Sequence, residues 1–256
     1  MAADAGALGG GGFAAVVFDC DSTLAAIEGI DDLAGEHAAA IRAMTEEAMQ
    51  GRVPLEEVYG RRLELIRPSR ERVEALSRAY AAALVPDARE TVAALLFLDK
   101  DVRVLSGGLR PPVEAVAREL GIGPEAVGAV GVEFAEDGAY RGFERESPLA
   151  RSGGKEAALR AWRLPRPALM VGDGATDLEA RPAVDAFAAY MGVAFRPQVA
   201  AGADVVLRDP SLAPVLALAA SPEDRARLAA SAWAGLLRRG DELLARDLPT
   251  RTDPTR

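Results

Sequence analysis

The sequence predicts an α/β protein, a doubly wound parallel sheet with a small helical cap domain set into it. Three observations carry that prediction. Short runs dominated by Val, Ala and Leu recur at 13–18, 102–105 and 168–171, and such runs read as strands buried on both faces of a sheet. Segments with helical spacing follow them, and strands alternating with helices imply parallel pairing with helices on both faces. Between the first and second runs stands a long stretch with helical patterning only, which reads as an insertion into the core.

The elements follow in order. Residues 1–12 are rich in Ala and Gly and carry no Lys or Arg, so they read as a flexible leader without the basic region or long apolar core of a signal peptide. The first strand, 13–18, ends abruptly in Asp19-Cys20-Asp21-Ser22-Thr23. The cap is expected over 30–85, with helices at 32–49, 54–66 and 69–84, the last opened by Ser69 as a cap and the set punctuated by Gly51, Pro54 and Pro68. The core, 13–29 and 86–220, resumes with a helix over 87–98 and a strand over 102–105 that ends in Ser106-Gly107-Gly108. A helix at 112–120 follows, and 130–143 alternates around Asp137-Gly138, a hairpin signal. Gly153-Gly154-Lys155 opens a helix reaching about Trp162, and the strand at 168–171 ends in Gly172-Asp173-Gly174. Segments 186–190 and 204–207 supply two more strands, and 221–256 is a tail with an amphipathic helix over 222–245.

Composition limits the function classes. The chain has 256 residues, 50% hydrophobic and 27% charged, which suits one globular core with an elaboration. A net charge of -9 disfavours nucleic acid, whose binding needs a basic face. It also requires a local positive site for any anionic substrate. No apolar run reaches membrane-spanning length. The single cysteine, Cys20, excludes an internal disulfide and fits a reducing, cytoplasmic compartment. With His37 as the lone histidine, a histidine nucleophile or a multi-histidine zinc site is not expected.

Three polar clusters, Asp19/Asp21, Ser106 and Asp173, each follow directly on an apolar strand. In an open parallel sheet the carboxyl ends of neighbouring strands gather into one crevice. Three carboxylates there call for a hard cation, and Mg2+ leaves coordination positions for a phosphate oxygen. Lys155 adds a fixed positive charge, Ser106 a hydroxyl, and the amides near Gly107 and Gly108 can approach an anion closely. Such a cradle suits a phosphoryl group. Asp19 can attack phosphorus, while Asp21, two residues on, can bend back to protonate the leaving alcohol and then activate water.

Four motifs in order, Asp19 to Thr23, Ser106-Gly107-Gly108, Lys155, and Gly172-Asp173-Gly174-Ala175-Thr176-Asp177, resemble those of the haloacid dehalogenase superfamily. Glu28-Gly29-Ile30-Asp31, Met44-Thr45 and Ala48-Met49 make the chain most similar to its phosphoserine phosphatase branch. That resemblance implies a hydrolase of serine biosynthesis that dephosphorylates O-phospho-L-serine through an aspartyl-phosphate. Asp19 would be the nucleophile and Asp21 the acid and base, with Mg2+ held by Asp19, Asp21 (through its main-chain carbonyl) and Asp173. Ser106, Gly107, Gly108 and Lys155 would hold the phosphoryl group, with Thr176 and Asp177 in support. Glu28 would bind the substrate amino group and Arg62 its carboxylate, Met49 would line the pocket, and Arg196 would lie near the substrate. The partner expected is therefore a small phosphorylated metabolite, and the tail allows a homodimer. Three alternatives stay open: a phosphotransferase passing the group to an alcohol, a phosphatase for another small ester, and a binding protein that keeps the fold without turnover.

Overall fold

The computed structural model describes residues 11–50 and 52–247, the side chain of Met49 excepted. The leader through residue 10, Gly51 and the end of the tail after residue 247 lie outside the described residues. The first strand, β1 (Ala15–Phe18), is followed by α1 (Gly29–Asp32), α2 (Ala38–Met49), α3 (Leu55–Ile66) and α4 (Arg70–Ala82). The chain continues through α5 (Ala88–Phe97), β2 (Asp101–Leu109), α6 (Arg110–Glu119), β3 (Val127–Val130), β4 (Val132–Phe134) and β5 (Tyr140–Phe143). Next come α7 (Gly154–Trp162), β6 (Ala168–Gly172), α8 (Ala175–Glu179), β7 (Ala186–Tyr190), α9 (Pro197–Gly202) and β8 (Val205–Leu207). The helices α10 (Ala213–Ala219), α11 (Pro222–Ala229) and α12 (Ala234–Asp247) complete it.

Six strands form one parallel sheet in the order β3-β2-β1-β6-β7-β8. Every residue of β1, β6 and β7 is buried, which is why these strands read as continuous apolar runs. Phe18 at the end of β1 faces Val104 of β2 on one side and Val171 of β6 on the other. The chain leaves β1 for β2 on one flank and reaches β6 on the other, so a crevice opens at their carboxyl ends. The register of β2 slips beside it: Leu105 pairs with Gly128 and Leu109 with Val130, so β2 advances four residues while β3 advances two. The surplus bulges the Ser106-Gly107-Gly108 segment toward the crevice.

The helices α1 to α4 lie between β1 and β2 in the chain and sit over this end of the sheet. One apolar cluster runs from the strands into Leu55, Tyr59, Leu63 and Tyr80 of these helices, and α4 packs along α6. Ser69 caps α4 by accepting from the Arg72 amide at 3.3 Å, as its position suggests.

Three elements differ from expectation. The segment 32–49 is not one helix, because Gly35 adopts a left-handed conformation (φ 53) and a 3-10 turn precedes α2. β3 carries Gly128 and Ala129 and gives no strand signal, yet it forms the sheet edge beside β2. The tail helix is two helices, with Ser221 and Asp224 forming a reciprocal cap at the start of α11. Gly12, the last residue of the expected leader, is buried against Ser221 with φ 71. Among the described residues no helix is long and apolar enough to cross a membrane.

The tail is tied to the core by Lys100, whose Nζ donates to Asp224 at 2.6 Å with both side chains 10% exposed. Burial alone would raise the Asp224 carboxyl, but Lys100 and the Ser221 amide outweigh it and hold it below its usual value. A depressed carboxylate stabilises the fold above its unfolded value, roughly 3.9, and that contribution disappears as pH falls through the folded value. Asp224→Ala is expected to lose about 2 kcal/mol of unfolding free energy at pH 7. In urea titrations the gap from wild type should stay constant from pH 5 to 8 and close below about pH 4; a gap that widens in acid would contradict this sign.

Candidate active site

The site begins where β1 runs out of sheet. The amides of Thr23, Leu24 and Ala25 all point to the Cys20 carbonyl at 2.9–3.3 Å, and Ser22 takes a positive φ of 54. This tight turn puts Asp19 and Asp21 on the crevice side and leaves Cys20 fully buried. The Asp19 amide still donates to the Val171 carbonyl at 2.9 Å, so the nucleophile candidate sits on the last rung of the sheet.

Lys155, second residue of α7, donates from Nζ to Asp19 Oδ1 and Asp177 Oδ1, both at 2.5 Å. Its side chain is 5% exposed. Burial disfavours the ammonium, but the two carboxylates outweigh burial and hold it charged beyond the usual lysine range. The other oxygen of Asp177 accepts from the Gly174 amide at 3.0 Å, folding the carboxylate back over the end of β6. Any side chain at Gly172 would overlap that carboxylate.

Ser106 Oγ accepts from the Gly108 amide at 2.9 Å within the β2 bulge. A Cβ at Gly108 would stand 3.0 Å from Asp21 Oδ1 and 3.1 Å from Ser106 Oγ, so glycine is what lets this backbone lie close to the acid. Asp21 accepts from the Gly29 amide through Oδ2 at 3.1 Å, while its buried Oδ1 has no hydrogen-bond partner among the described residues. Burial, followed by the charge of Glu28, raises its carboxyl to about 7.

Ligating oxygens of Asp19, Asp173 and Asp177 lie within 4.8 Å of one another, all three residues buried. Burial first, then the neighbouring Asp177, pushes the Asp19 carboxyl well above its ordinary range, with Lys155 pulling the other way. Three buried oxygen donors drawn this close together, with the Asp19 carboxyl already raised, fit a hard divalent cation. The resemblance gives Asp19, Asp21 and Asp173 this work and Asp177 a supporting one. The resemblance takes the Asp21 contribution from its main-chain carbonyl, so its carboxylate can turn to the Gly29 amide at the start of α1, while Asp177 stands as a neighbouring carboxylate over β6.

One cavity is lined by Asp19, Asp21, Glu28, Arg62, Ser106, Gly107, Gly108, Lys155, Asp173, Thr176 and Asp177. Of the remaining expected residues, Arg196 is buried behind the lining, where it pairs with Asp173 and donates to Glu28 Oε1 at 3.1 Å. Met49 ends α2, and its side chain lies outside the described residues. Glu28 also accepts from the Ser22 hydroxyl at 2.8 Å. The helical layer closes the cavity through the Tyr59 hydroxyl, which donates to the Gly107 carbonyl at 2.8 Å. Beside it the Leu55 amide donates to Ser152 Oγ at 3.0 Å, and the Ser152 amide to Glu56 at 2.9 Å.

Sequence reasoning missed Asp31, Tyr59 and Arg151 on the cavity wall. Tyr59 lies one helical turn before Arg62, so helical spacing alone could have put it on the same face. Asp31 stands inside the quoted Glu28-Gly29-Ile30-Asp31 string. Nothing in the local pattern marks Arg151, which arrives through the turn before α7.

Comparison with known proteins agrees with this geometry. The chain is 43% identical over 197 residues to the chloroplastic phosphoserine phosphatase of Arabidopsis thaliana, covering 74% of this chain and 67% of that one. It is 40% identical over 200 residues to the phosphoserine phosphatase of Bos taurus, covering 76% and 89%. A solved phospho-aspartyl intermediate analogue of phosphoserine phosphatase superposes with a TM-score of 0.67 at 25% identity, over 78% of this chain and 96% of that one. The haloacid dehalogenase-like hydrolase model matches residues 13–185. With that match spanning most of the chain, and with the acidic crevice formed at adjacent strand ends, the protein belongs to the haloacid dehalogenase-like hydrolase family.

Proposed function

We propose that the protein is a magnesium-dependent phosphomonoester hydrolase that converts O-phospho-L-serine to L-serine and phosphate through an aspartyl-phosphate on Asp19. One observation carries the reading. One cavity has Asp19, Asp21, Ser106, Lys155 and Asp173 on its sheet side, and Glu28 and Arg62 on its helical side. The first group suits a phosphoryl group. The second offers one anion and one cation, matching the ammonium and carboxylate of a phosphoamino acid.

On this reading Asp19, Asp173 and the Asp21 main-chain carbonyl would hold Mg2+, with Asp177 beside them in support. The ion supplies charge neutralisation for the phosphate oxygens and the crowded carboxylates. Lys155, Ser106 and the amides of the bulge orient the phosphoryl group, and Thr176 stands beside it. An Asp19 carboxylate oxygen attacks phosphorus as the bond to the serine oxygen breaks, and protonated Asp21 gives its proton to that oxygen. Asp21, now a carboxylate, takes a proton from water, whose oxygen attacks phosphorus and releases Asp19. A carboxyl raised to about 7 by burial serves both roles near neutral pH. Closure by Tyr59 and Ser152 keeps bulk water from the cavity during transfer. A single buried free thiol suits a reducing compartment, and we assign the enzyme to the cytoplasm.

The test is phosphate release from O-phospho-L-serine and from phosphoethanolamine, which lacks the carboxylate, with magnesium and then with a chelator. Wild type should prefer phosphoserine and lose turnover on chelation. Arg62→Ala should raise KM for phosphoserine by roughly 10- to 100-fold, the worth of a charge-assisted contact, and leave phosphoethanolamine nearly unchanged. Equal losses on both substrates would remove the carboxylate-reading role, and serine phosphate failing as a substrate beside other esters would remove the substrate. Faster phosphate loss with an acceptor alcohol, without matching inorganic phosphate, would favour the transferase.

A further inference from the structure

The guanidinium of Arg62 is buried in the helical layer, 4% exposed. Its Nη1 donates to the Thr45 hydroxyl at 2.8 Å, and that hydroxyl donates its one proton to Asp31 Oδ1 at 2.5 Å. Thr45 is itself 4% exposed. The three residues come from α1, α2 and α3, so the relay ties together three of the four helices above the cavity. On its other side the guanidinium carbon stands 5.5 Å from the centre of the Tyr59 ring. The buried Nε of Arg62 has no hydrogen-bond partner among the described residues.

This arrangement solves a specific problem. An arginine and an aspartate on one cavity wall would ordinarily collapse into a two-pronged pair and use up the guanidinium. Here a hydroxyl stands between them. Because it has one proton and accepts through its lone pairs, it can serve Asp31 as donor and Arg62 as acceptor at once. Arg62 is thereby held by one nitrogen against Thr45 and by the face of Tyr59, and its remaining donors have no further partner among the described residues.

We propose that Thr45 is a positioning residue for substrate recognition: its hydroxyl, anchored on Asp31, spaces Arg62 from that carboxylate and presents the guanidinium to the carboxylate of the substrate. The proposal rests on the reading of Arg62 as the carboxylate site. Thr45 itself touches no reacting atom, so its effect must pass through Arg62.

The experiment compares Thr45→Val, Thr45→Ser, Arg62→Ala and the double variant Arg62→Ala/Thr45→Val, with melting temperatures recorded for each. The substrates are O-phospho-L-serine and phosphoethanolamine, the latter also measured as a competitive inhibitor. Thr45→Val keeps the shape and removes both hydrogen bonds. It should raise KM for phosphoserine roughly 5- to 20-fold, with kcat within about twofold and phosphoethanolamine unaffected. Thr45→Ser restores the hydroxyl and should restore KM. In the Arg62→Ala background Thr45→Val should add nothing. A loss shared by both substrates, a serine variant that does not recover, or an additive double variant each overturns the proposal. If Arg62→Ala discriminates between the substrates and Thr45→Val does not, the proposal alone fails. If Arg62→Ala treats the two substrates alike, the reading of Arg62 falls and takes the proposal with it.

Discussion

Asp19→Asn is expected to abolish phosphate release, by ~10³-fold or more, while leaving the fold as stable as wild type or more so. The amide keeps the size of the carboxylate and an oxygen for Lys155, which donates to Asp19 Oδ1 at 2.5 Å. What it removes is the attacking charge. It also removes a strain, because burial and the neighbouring Asp177 already push the Asp19 carboxyl far above its ordinary range. A group raised in this way favours the folded state at low pH and loses that contribution as pH rises through the folded value. The variant should therefore melt at or above the wild-type temperature at pH 7 and lose the wild type's decline with rising pH. Acid-quenched wild type should carry substrate phosphate on the protein, and the variant should carry none. Turnover within tenfold of wild type would sink the covalent mechanism.

Lys155→Met should be nearly as inactive, for a different reason, and should be unstable as well. Lys155 Nζ is the only cation drawn to both Asp19 and Asp177 among the described residues, at 2.5 Å from each. Breaking a buried pair by removing one partner typically costs about 3–5 kcal/mol, because it leaves uncompensated charge in a place water cannot reach. The pull that Lys155 exerts on the Asp19 carboxyl is downward, so without it the nucleophile stays protonated further up the pH scale. Since the Asp19 carboxyl is then raised further still, the variant's deficit should be smallest near pH 5 and largest above neutrality. Magnesium should recover part of the melting temperature, by neutralising the same oxygens, without recovering phosphate release. Recovery of activity by magnesium alone would show that the lysine merely balances charge and does not orient the phosphoryl group.

The two variants differ in an instructive way. Removing one acid from an over-acidic cluster relieves it, whereas removing the lysine aggravates it. Arg196 shows that the same surplus has a second local answer, since it is buried between Asp173 and Glu28. Nothing near it in sequence marks that contact. Glu28 lies just ahead of α1 and Arg196 just ahead of α9.

The sequence by itself determined the sheet, the insertion and most of the cavity. Buried parallel strands must be apolar throughout, so β1 and β6 stand out, and the polar strings that interrupt them mark where each strand meets the crevice. That logic is local, which is why Asp19, Asp21, Ser106 and Asp173 were legible. Other features were decided only when distant segments met. β3 has small residues and no periodic signature, and it becomes a strand because β2 offers an unpaired edge. Gly35 breaks an otherwise continuous helical pattern by its backbone angle. Asp177 joins Asp19 and Asp173 in the acidic cluster because α8 folds its first turn back over β6. Which oxygen faces a cation, and whether an arginine is free or already paired, depends on orientation between elements, and orientation is fixed by packing across the whole molecule rather than by neighbours along the chain.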